Sequence, residues 1–244
     1  MAPVTALLEV EHLSKTYGAV TVVDDLSVSL ASGEALGVVG PNGAGKTTML
    51  NLITGTVKAD GGRIVFAGED ISHASPHQRC QAGIARTFQI PRPFEGMTVF
   101  ENVLVGGTYG RKESERASMR TCYDALRRSG MLRRANVLAE DLTLLERKRM
   151  ELARALATEP KVLLLDEIAG GLTEPEVAAL IETIKRIRSE GVSIIWIEHI
   201  VHALLAVVDR LVAIDFGRKL ADGDPQAVIN SDEVRDVYLG RELD

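Results

Sequence analysis

The sequence predicts an α/β fold that begins with an antiparallel β subdomain and carries a helical subdomain inserted in its middle. Three observations support this prediction. In the first 30 residues apolar and polar side chains alternate, which is typical of antiparallel strands with one solvated face. From Ala35 to about Gly68, and again from Lys161 onward, compact apolar runs alternate with helical patterns, as in a parallel sheet. Residues 91–150 between them are patterned as helices and contain no buried strand.

The N-terminal part of the chain alternates strands and turns with one helix. LLEVEHL and LSVSL predict short antiparallel strands, and the apolar run ALGVV (residues 35–39) predicts a buried strand that ends in a glycine-rich turn. KTTMLNLIT then has the pattern of a helix that stops at Gly55. Gly61 and Gly62 turn the chain into RIVFAG, another short strand.

The C-terminal part returns to the α/β pattern. KVLLLDE (residues 161–167) predicts a buried strand closed by two acids, and VSIIWI and LVAID predict two more strands, with Trp196 in the core. Between them, EPEVAALIETIKRIRSE predicts a helix that Gly191 ends. Its apolar residues have the spacing of a one-sided helical face: Val177, Leu180, Ile181, Ile184 and Ile187.

Length and composition are those of a folded globular chain. With 244 residues the chain can bury a full core, and 45% hydrophobic and 25% charged residues are ordinary values. Its apolar stretches at 192–197 and 203–208 are far shorter than the roughly 20 residues that span a bilayer. The first 12 residues lack the basic start of a secretory signal. We therefore expect no transmembrane segment and no signal peptide.

The charges are unevenly distributed. The net charge of −6 gives nucleic acid no global electrostatic reason to bind, so we expect no nucleic-acid partner. Residues 111–149 nevertheless carry +5 against −11 in the rest of the chain. That excess indicates either a solvated helical face or a surface directed at an acidic partner or at anionic lipid head groups.

The clearest motif lies between the ALGVV strand and the following helix. It fits the phosphate-loop pattern of glycine, four residues, glycine, lysine and Ser/Thr. Backbone amides of such a loop curl around phosphate oxygens, and the helix adds its positive N-terminal dipole. The expected ATP-binding residues are Gly40, Pro41, Asn42, Gly43, Ala44, Gly45, Lys46, Thr47 and Thr48. The α/β core is therefore predicted to be of the P-loop NTPase (RecA-like) type, with Lys46 reaching the β/γ-phosphates and Thr47 ligating Mg²⁺.

Two acids follow the VLLL strand, at the edge where a parallel sheet presents its ligands. Asp166 is placed to bind Mg²⁺, mostly through water, and Glu167 to polarise the attacking water. Alone, such a pair could equally cap the next turn. Beside a phosphate loop it indicates nucleotide hydrolysis.

Together these motifs resemble the ATP-binding subunit of an ABC transporter, over nearly the whole chain. Tyr17, in LSKTYGAVTVVDDLSVSL, stands where that family stacks an aromatic ring on adenine. Gln89, in ARTFQ, matches the Q-loop glutamine that touches Mg²⁺, and His199, in IIWIEHI, matches the switch histidine that contacts the γ-phosphate. Gly170-Gly171-Leu172-Thr173 stands at the D-loop position, with Thr173 where Asp or Asn is usual.

The resemblance implies an ATPase whose cofactors are ATP and Mg²⁺. Its catalytic residues would be Glu167, Gln89 and His199, and its Mg²⁺ ligands Thr47, Gln89 and Asp166. The whole chain, 1–244, would form one ABC ATPase domain. Residues 1–90 and 155–244 would make the nucleotide-binding core, and residues 91–154 the helical subdomain with the signature loop.

Finer features resemble the ATPases of branched-chain amino acid importers: GIARTFQ, MTVFENVLVGG, ELARALATEP and the closing VYLG. This resemblance implies solute uptake through integral-membrane permease subunits, with a periplasmic or extracellular solute-binding protein acting through the permease. The chain would be peripheral, on the cytoplasmic face of the inner (plasma) membrane. Arg92, Pro93 and Phe94 would lie beside the groove that receives a permease coupling helix, or else pack as ordinary residues.

One motif departs from the family. The signature loop, usually L-S-G-G-Q, aligns with Leu142, Thr143, Leu144, Leu145 and Glu146. Two leucines replace glycines that approach the γ-phosphate of the opposite subunit, and a carboxylate comes near phosphates. We therefore favour a heterodimer with a second ATPase that has a standard signature loop. The alternative is that the loop tolerates the leucines and still presents Thr143 and a helix N-terminus.

Two other classes of function stay open at this point. One is a non-transport ABC ATPase that acts as a clamp, although the chain lacks the long coiled-coil insertion or second ATPase half usual there. The other is a nucleotide-binding regulatory subunit with low turnover. A metal site at His73, His77 and Cys80 is disfavoured, because Pro76 interrupts the run and no further ligand follows at zinc-like spacing.

Overall fold

The structure is a computed structural model that describes residues 6–239. The residues before Ala6, which belong to the segment that we expect not to be a signal, lie outside the described part, as does Gly240 of the VYLG stretch. Residues 6–239 contain ten strands: β1 (Ala6–Tyr17), β2 (Val20–Ala31), β3 (Ala35–Val39), β4 (Gly61–Phe66), β5 (Glu69–Asp70), β6 (Ile84–Arg86), β7 (Val162–Asp166), β8 (Ser193–Ile197), β9 (Arg210–Asp215) and β10 (Arg218–Gly223).

The same residues contain nine α-helices: α1 (Lys46–Thr54), α2 (Pro76–Ala82), α3 (Val99–Arg111), α4 (Glu115–Ser129), α5 (Leu144–Leu156), α6 (Glu174–Ser189), α7 (Val201–Leu205), α8 (Pro225–Ile229) and α9 (Asp232–Leu239). In this described part, no helix combines the length and the apolar character needed to cross a membrane. The chain divides into two compact units: residues 6–76 with 193–239, and residues 77–192.

The first unit contains an antiparallel sheet and a mainly parallel set of strands. The antiparallel sheet has the order β2-β1-β4-β5. In the second set of strands, β3 pairs in parallel with both β8 and β9, and β10 pairs antiparallel with β9. The predicted N-terminal antiparallel subdomain is confirmed, but β1 and β2 run for 12 residues each and are not the short strands expected. Their paired registers shift at several points, so bulges or similar irregularities carry the pairing through breaks in the alternating pattern.

The predicted buried strands of the first unit are confirmed. All five residues of β3 and of β8 are buried, and Trp196 on β8 is fully inaccessible to solvent. Apolar runs with both faces covered are what a central parallel sheet requires. The helix predicted after β3 is α1, which ends at Thr54 because Gly55 adopts a left-handed conformation at its C-cap.

The second unit is mostly helical, with one parallel strand pair. β6 and β7 pair in parallel, and every residue of β7 is buried. Helices α3, α4 and α5 pack against one another, so the prediction of helices without a buried strand in residues 91–150 is confirmed. The apolar face predicted for α6 is buried as expected, at Val177, Leu180, Ile181, Ile184 and Ile187.

Candidate functional site

The phosphate loop joins β3 to α1 through glycines in conformations that other residues rarely adopt. Gly40, Gly43 and Gly45 have φ angles of 153°, 82° and 98°. A Cβ at Gly40 would lie 2.1 Å from the Ile214 carbonyl oxygen, and one at Gly45 would lie 2.4 Å from the carbonyl oxygen of Val22. The loop therefore needs glycine at both ends, for backbone angle and for close packing.

Lys46 is the first residue of α1, and its side chain folds back over the loop. Its ammonium donates hydrogen bonds to the carbonyl oxygens of Gly40 and Pro41, at 2.7 and 2.9 Å. Lys46 is buried, whereas the neighbouring Thr47 is exposed. The loop thus places an ammonium, a hydroxyl and a helix N-terminus together, which is a set suited to a bound phosphate chain.

His199 belongs to the same compact unit as the phosphate loop. It follows β8, the parallel neighbour of β3, so the loops after these two strands leave the same edge of the sheet. The His199 side chain is exposed, and its backbone N–H donates to the carboxylate of buried Glu198 at 3.0 Å. Tyr17, also in this unit, is about half exposed and lies 5.4 Å from the ammonium of Lys15.

The two acids at the end of β7 lie in the other compact unit. Each is hydrogen-bonded to a residue at or just after the end of β6. Arg86 donates from Nη2 to Oδ2 of Asp166 at 2.6 Å, and both side chains are almost fully buried. Gln89 donates from Nε2 to Oε2 of Glu167. The backbone of Glu167 has a φ of 47°, a strained conformation of the kind concentrated at functional sites. Three of the predicted site residues, Gln89, Asp166 and Glu167, are thus brought to one edge of the β6–β7 pair.

Sequence reasoning missed the residues that support this arrangement. Arg86 was not singled out, although it stands in the same ARTFQ stretch as Gln89. Glu151 and Lys148 were also missed: both are buried on α5, and both bond the segment around Gln89. The sequence did contain a signal for them. Lys148 and Glu151 are charged, yet each stands four residues before an apolar residue of the core, Leu152 and Ala155, on the same helical face.

The altered signature loop forms the start of α5. Thr143 is the N-cap, with φ −64° and ψ 166°, and Leu144 and Leu145 are the first helical residues. Thr143 and Glu146 form a capping box: the Glu146 N–H donates to the Thr143 hydroxyl, and the Thr143 N–H donates to the Glu146 carboxylate at 3.1 Å. The T-x-x-E pattern that encodes this box was legible in the sequence.

Two details of the signature loop bear on how it can meet a phosphate. The Glu146 carboxylate also accepts a hydrogen bond from Nε of Arg134 at 2.6 Å, so its charge is partly neutralised. Leu144 and Leu145 need no left-handed backbone, since neither is among the positive-φ residues. Leu144 is 42% exposed, and its Cδ2 would lie 3.2 Å from a Cβ at Gly171. Any crowding of a phosphate therefore comes from the leucine side chains.

Oxygen donors dominate the residues that could hold Mg²⁺. Thr47 offers a hydroxyl, Asp166 a carboxylate and Gln89 an amide oxygen, the ligand types that Mg²⁺ takes while keeping several waters and substrate phosphates. Among residues 6–239 no group of three or more His, Cys, Asp or Glu could hold a metal ion by itself. Each of these donors is thus of a type that Mg²⁺ takes beside nucleotide and water.

Fold and loop together define a P-loop nucleotide-binding ATPase. The family profile described as ABC transporter matches residues 23–170, and a second profile, of the branched-chain amino acid ATP-binding cassette transporter, matches residues 218–244. The chain belongs to the ABC transporter family, as an ATP-binding subunit that hydrolyses ATP and works with membrane permeases.

Individual relatives cover nearly the whole chain. The lipopolysaccharide export system ATP-binding protein LptB of Haemophilus influenzae is 34% identical over 98% of this chain and 99% of its own length. The high-affinity branched-chain amino acid transport ATP-binding protein LivG of Escherichia coli is also 34% identical, over 96% and 98%. A crystal structure of the ADP conformation of an ATP-binding cassette of an ABC transporter matches with a TM-score of 0.88 and 28% identity, over 97% of this chain and 99% of that one. These matches confirm the predicted fold class and the family.

Proposed function

We propose that this chain powers the uptake of branched-chain amino acids, or of a related small polar or amphipathic solute, through a membrane permease. The observation that carries the proposal is the match of residues 218–244 to the profile of the branched-chain amino acid cassette. LivG and its counterpart BraF of Pseudomonas aeruginosa, both named as high-affinity branched-chain amino acid transport proteins, add support at 34% identity.

ATP would bind mainly on the first compact unit. The amides of residues 40–48 and the ammonium of Lys46 would hold the phosphates, and Tyr17, whose ring is about half exposed, would stack on adenine. His199 would contact the γ-phosphate from the loop after β8. The geometry of the glycine loop supports this assignment, because a side chain at Gly40 or Gly45 would collide with neighbouring backbone.

Hydrolysis would depend on the two acids at the carboxyl end of β7. Thr47, Gln89 and Asp166 would hold Mg²⁺, which neutralises developing charge on the phosphates when it is bound. Glu167 would orient or activate the attacking water, and Gln89 would hold the Glu167 carboxylate in place. The hydrogen bond between Gln89 and Glu167 supports this pairing. The rate of ATP turnover by the assembled complex would distinguish an ATP-hydrolysing transport subunit from a regulatory subunit with low turnover.

The partners would be permease subunits, with a periplasmic or extracellular solute-binding protein acting through them, at the cytoplasmic face of the inner membrane. Phe94 supports a docking role for the segment after Gln89, because its ring is 47% exposed and is held 5.7 Å from the guanidinium of Arg154. We propose that Arg92, Pro93 and Phe94 meet a coupling helix of the permease there.

We further propose that the second ATPase of the complex is a different chain with a standard signature loop. The exposed side chain of Leu144 supports this, because it occupies space in which the family's glycine leaves room for a phosphate. The capped helix N-terminus and the neutralised Glu146 support the alternative, a symmetric pair in which Thr143 still faces the phosphate. We favour the heterodimer because the capping box does not remove the leucine side chains.

Solute uptake tests the transport proposal directly. Cells lacking this chain should lose most high-affinity uptake of labelled leucine, isoleucine and valine, and wild-type chain should restore it. The Glu167→Gln variant should bind ATP and fail to restore uptake. Unchanged uptake of all three amino acids, together with unchanged uptake of other small amphipathic solutes, would exclude this function.

Export is a second proposal, favoured by one specific observation. LptB, named for lipopolysaccharide export, matches at the same 34% identity as LivG and over slightly more of this chain. If this second proposal holds, loss of the chain should leave amino acid uptake intact and deplete lipopolysaccharide at the cell surface. The two assays, run on the same deletion strain, separate the two proposals.

The mass of the Glu167→Gln variant in solution tests the heterodimer. Light scattering with and without Mg-ATP should give a monomer in both cases, and equilibrium dialysis should show that this monomer binds ATP. An ATP-dependent dimer would show that the Leu144-Leu145 loop closes on phosphate and would overturn the heterodimer. Lys46→Ala in the same background is the control that should abolish ATP binding.

A further inference from the structure

The segment around Gln89 is held from both sides by one helix. We call residues 86–92, from the end of β6 through Arg92, the Q segment. Past Thr87 its backbone is irregular, and the side chain of Gln89 in its middle is exposed. Its strand hydrogen bonds to β7 end with the Thr87 N–H, which donates to the carbonyl oxygen of Leu164, so the part beyond Thr87 needs other elements to fix its position.

Glu151 on α5 supplies the central contacts. Its Oε1 accepts hydrogen bonds from the backbone N–H of Arg92 at 2.7 Å and from Nη2 of Arg154 at 2.8 Å. Its Oε2 accepts from the backbone N–H of Phe88 at 3.3 Å. The Glu151 side chain is 2% exposed. Burying a carboxylate is costly unless charge-assisted hydrogen bonds compensate, so these three contacts account for its presence in the core.

Two further side chains of α5 bond the same segment. Nζ of buried Lys148 donates to the carbonyl oxygen of Gln89 at 3.3 Å, and Nη1 of Arg154 donates to the carbonyl oxygen of Arg92 at 3.0 Å. Positions 148, 151 and 154 are three residues apart and so share one face of the helix. The backbone on each side of Gln89 is thus tied to the helix that begins at the signature loop.

We propose that Glu151 is a positioning residue for Gln89. By accepting hydrogen bonds from the N–H groups of Phe88 and Arg92, it fixes the backbone that presents Gln89 to Glu167. It also couples the position of the Q segment to that of α5. The inference rests on the proposed function only where it gives Gln89 a part in hydrolysis. The structural half, the tie between α5 and the Q segment, stands on the contacts alone.

Amide hydrogen exchange on the full chain tests that structural half without any turnover. Glu151→Gln keeps the shape of the side chain and puts an NH₂ group in place of one of the two carboxylate oxygens that accept hydrogen bonds from backbone N–H groups. The backbone amide that faces the new NH₂ group, that of Phe88 or that of Arg92, should then exchange about tenfold faster, the change that follows when a hydrogen bond is lost, while the amides within α5 keep their rates. Unchanged exchange at both amides would overturn the proposal.

Met150→Ala is the matched control, since it removes a fully buried side chain from the neighbouring position of α5. It should lower the unfolding temperature without selectively accelerating the amides of Phe88 and Arg92. If it accelerates these two amides as much as Glu151→Gln does, Glu151 is an ordinary structural residue.

ATP turnover of the assembled complex tests the positioning half. Glu151→Gln should lower kcat by about tenfold to a hundredfold, as displaced groups do, and leave the KM for ATP unchanged. It should lower kcat little further in a Gln89→Ala background, because both changes remove the same contribution. A change in KM, or fully additive losses, would overturn the role of Glu151. Loss of the transport proposal alone would leave both the exchange result and the kcat result standing.

Discussion

Arg86 at the end of β6 and Asp166 at the end of β7 form an ion pair with a distance of 2.6 Å, between side chains that are 7% and 4% exposed. Charges this deeply buried are tolerated because each neutralises the other. Asp166 is also a proposed Mg²⁺ ligand, so the pair places a cationic group beside the acid that would face the metal. Arg86 therefore contributes positive charge next to the proposed metal ligand Asp166, and it is also part of the buried core.

Removing the cation should destabilise the chain strongly. We expect Arg86→Met to lower the free energy of unfolding by about 3–5 kcal/mol, because it removes the cation with which the buried Asp166 carboxylate pairs. Urea denaturation followed by circular dichroism measures this loss. The double variant Arg86→Met/Asp166→Leu should recover most of it, since a buried pair replaced by apolar side chains is often close to neutral. A loss below about 1 kcal/mol in the single variant would show that solvent reaches Asp166.

The phosphate loop allows a prediction with an internal control. Gly45→Ala should destabilise the loop and weaken ATP binding about tenfold or more, because a Cβ would lie 2.4 Å from the Val22 carbonyl oxygen at a φ of 98°. Gly43→Ala also has a positive φ, of 82°, but no heavy atom within 4 Å. It should cost only the backbone strain, about 1–2 kcal/mol. Thermal unfolding and ATP titration of both variants would separate collision from strain, and equal effects would contradict the argument.

Much of the fold could be predicted from sequence because it is encoded locally. The apolar composition of β3, β7 and β8 already indicates that these strands are buried. The fixed spacing of its glycines indicates the shape of the phosphate loop. The helix after the loop ends where Gly55 permits a left-handed cap. Each of these signals lies within about ten residues, so no knowledge of tertiary packing was needed.

The supports of the site could not be predicted because they join distant parts of the chain. Arg86 and Asp166 are 80 residues apart, and Glu151 reaches Phe88 across 63 residues. Sequence patterns indicate that such residues are buried or charged, but only packing decides which of them meet. The lengths of β1 and β2 were underestimated for a similar reason, since bulges carry the pairing through breaks in the alternating pattern.

The two cysteines should be unreactive in the native protein. Burial raises the pKa of Cys122 on α4 to about 11, and this outweighs the opposing effects of the Gly107 backbone and the Arg111 charge. Burial also raises the pKa of Cys80. At pH 8 a thiol with a pKa of about 11 is ionised in only about one molecule in a thousand, so the thiolate that reacts is scarce. Reaction with a chromogenic disulfide should be slow for both thiols and become fast after unfolding. Rapid labelling of a native thiol would contradict this.

The capping box at the signature loop makes stability depend on pH in a stated direction. Burial raises the pKa of Glu146, but the Thr143 N–H and Arg134 outweigh that effect and hold the pKa below its ordinary value of 4.5. The unfolded chain therefore binds the proton more tightly, and the stabilisation is present above about pH 4.5 and is lost as the pH falls through the folded pKa. We expect Glu146→Gln to lower the free energy of unfolding by less than about 1 kcal/mol at pH 7, because Gln can keep the capping box and solvent screens the pair with half-exposed Arg134. The difference from wild type should shrink between pH 5 and pH 3. Urea midpoints measured across that range give the difference directly.

Arg134→Met is the matched variant. Losing the cation should raise the pKa of Glu146 in the folded protein, so the stability of the variant should begin to fall at a higher pH than that of wild type. An unchanged dependence of stability on pH would show that Arg134 does not contribute to the lowered pKa.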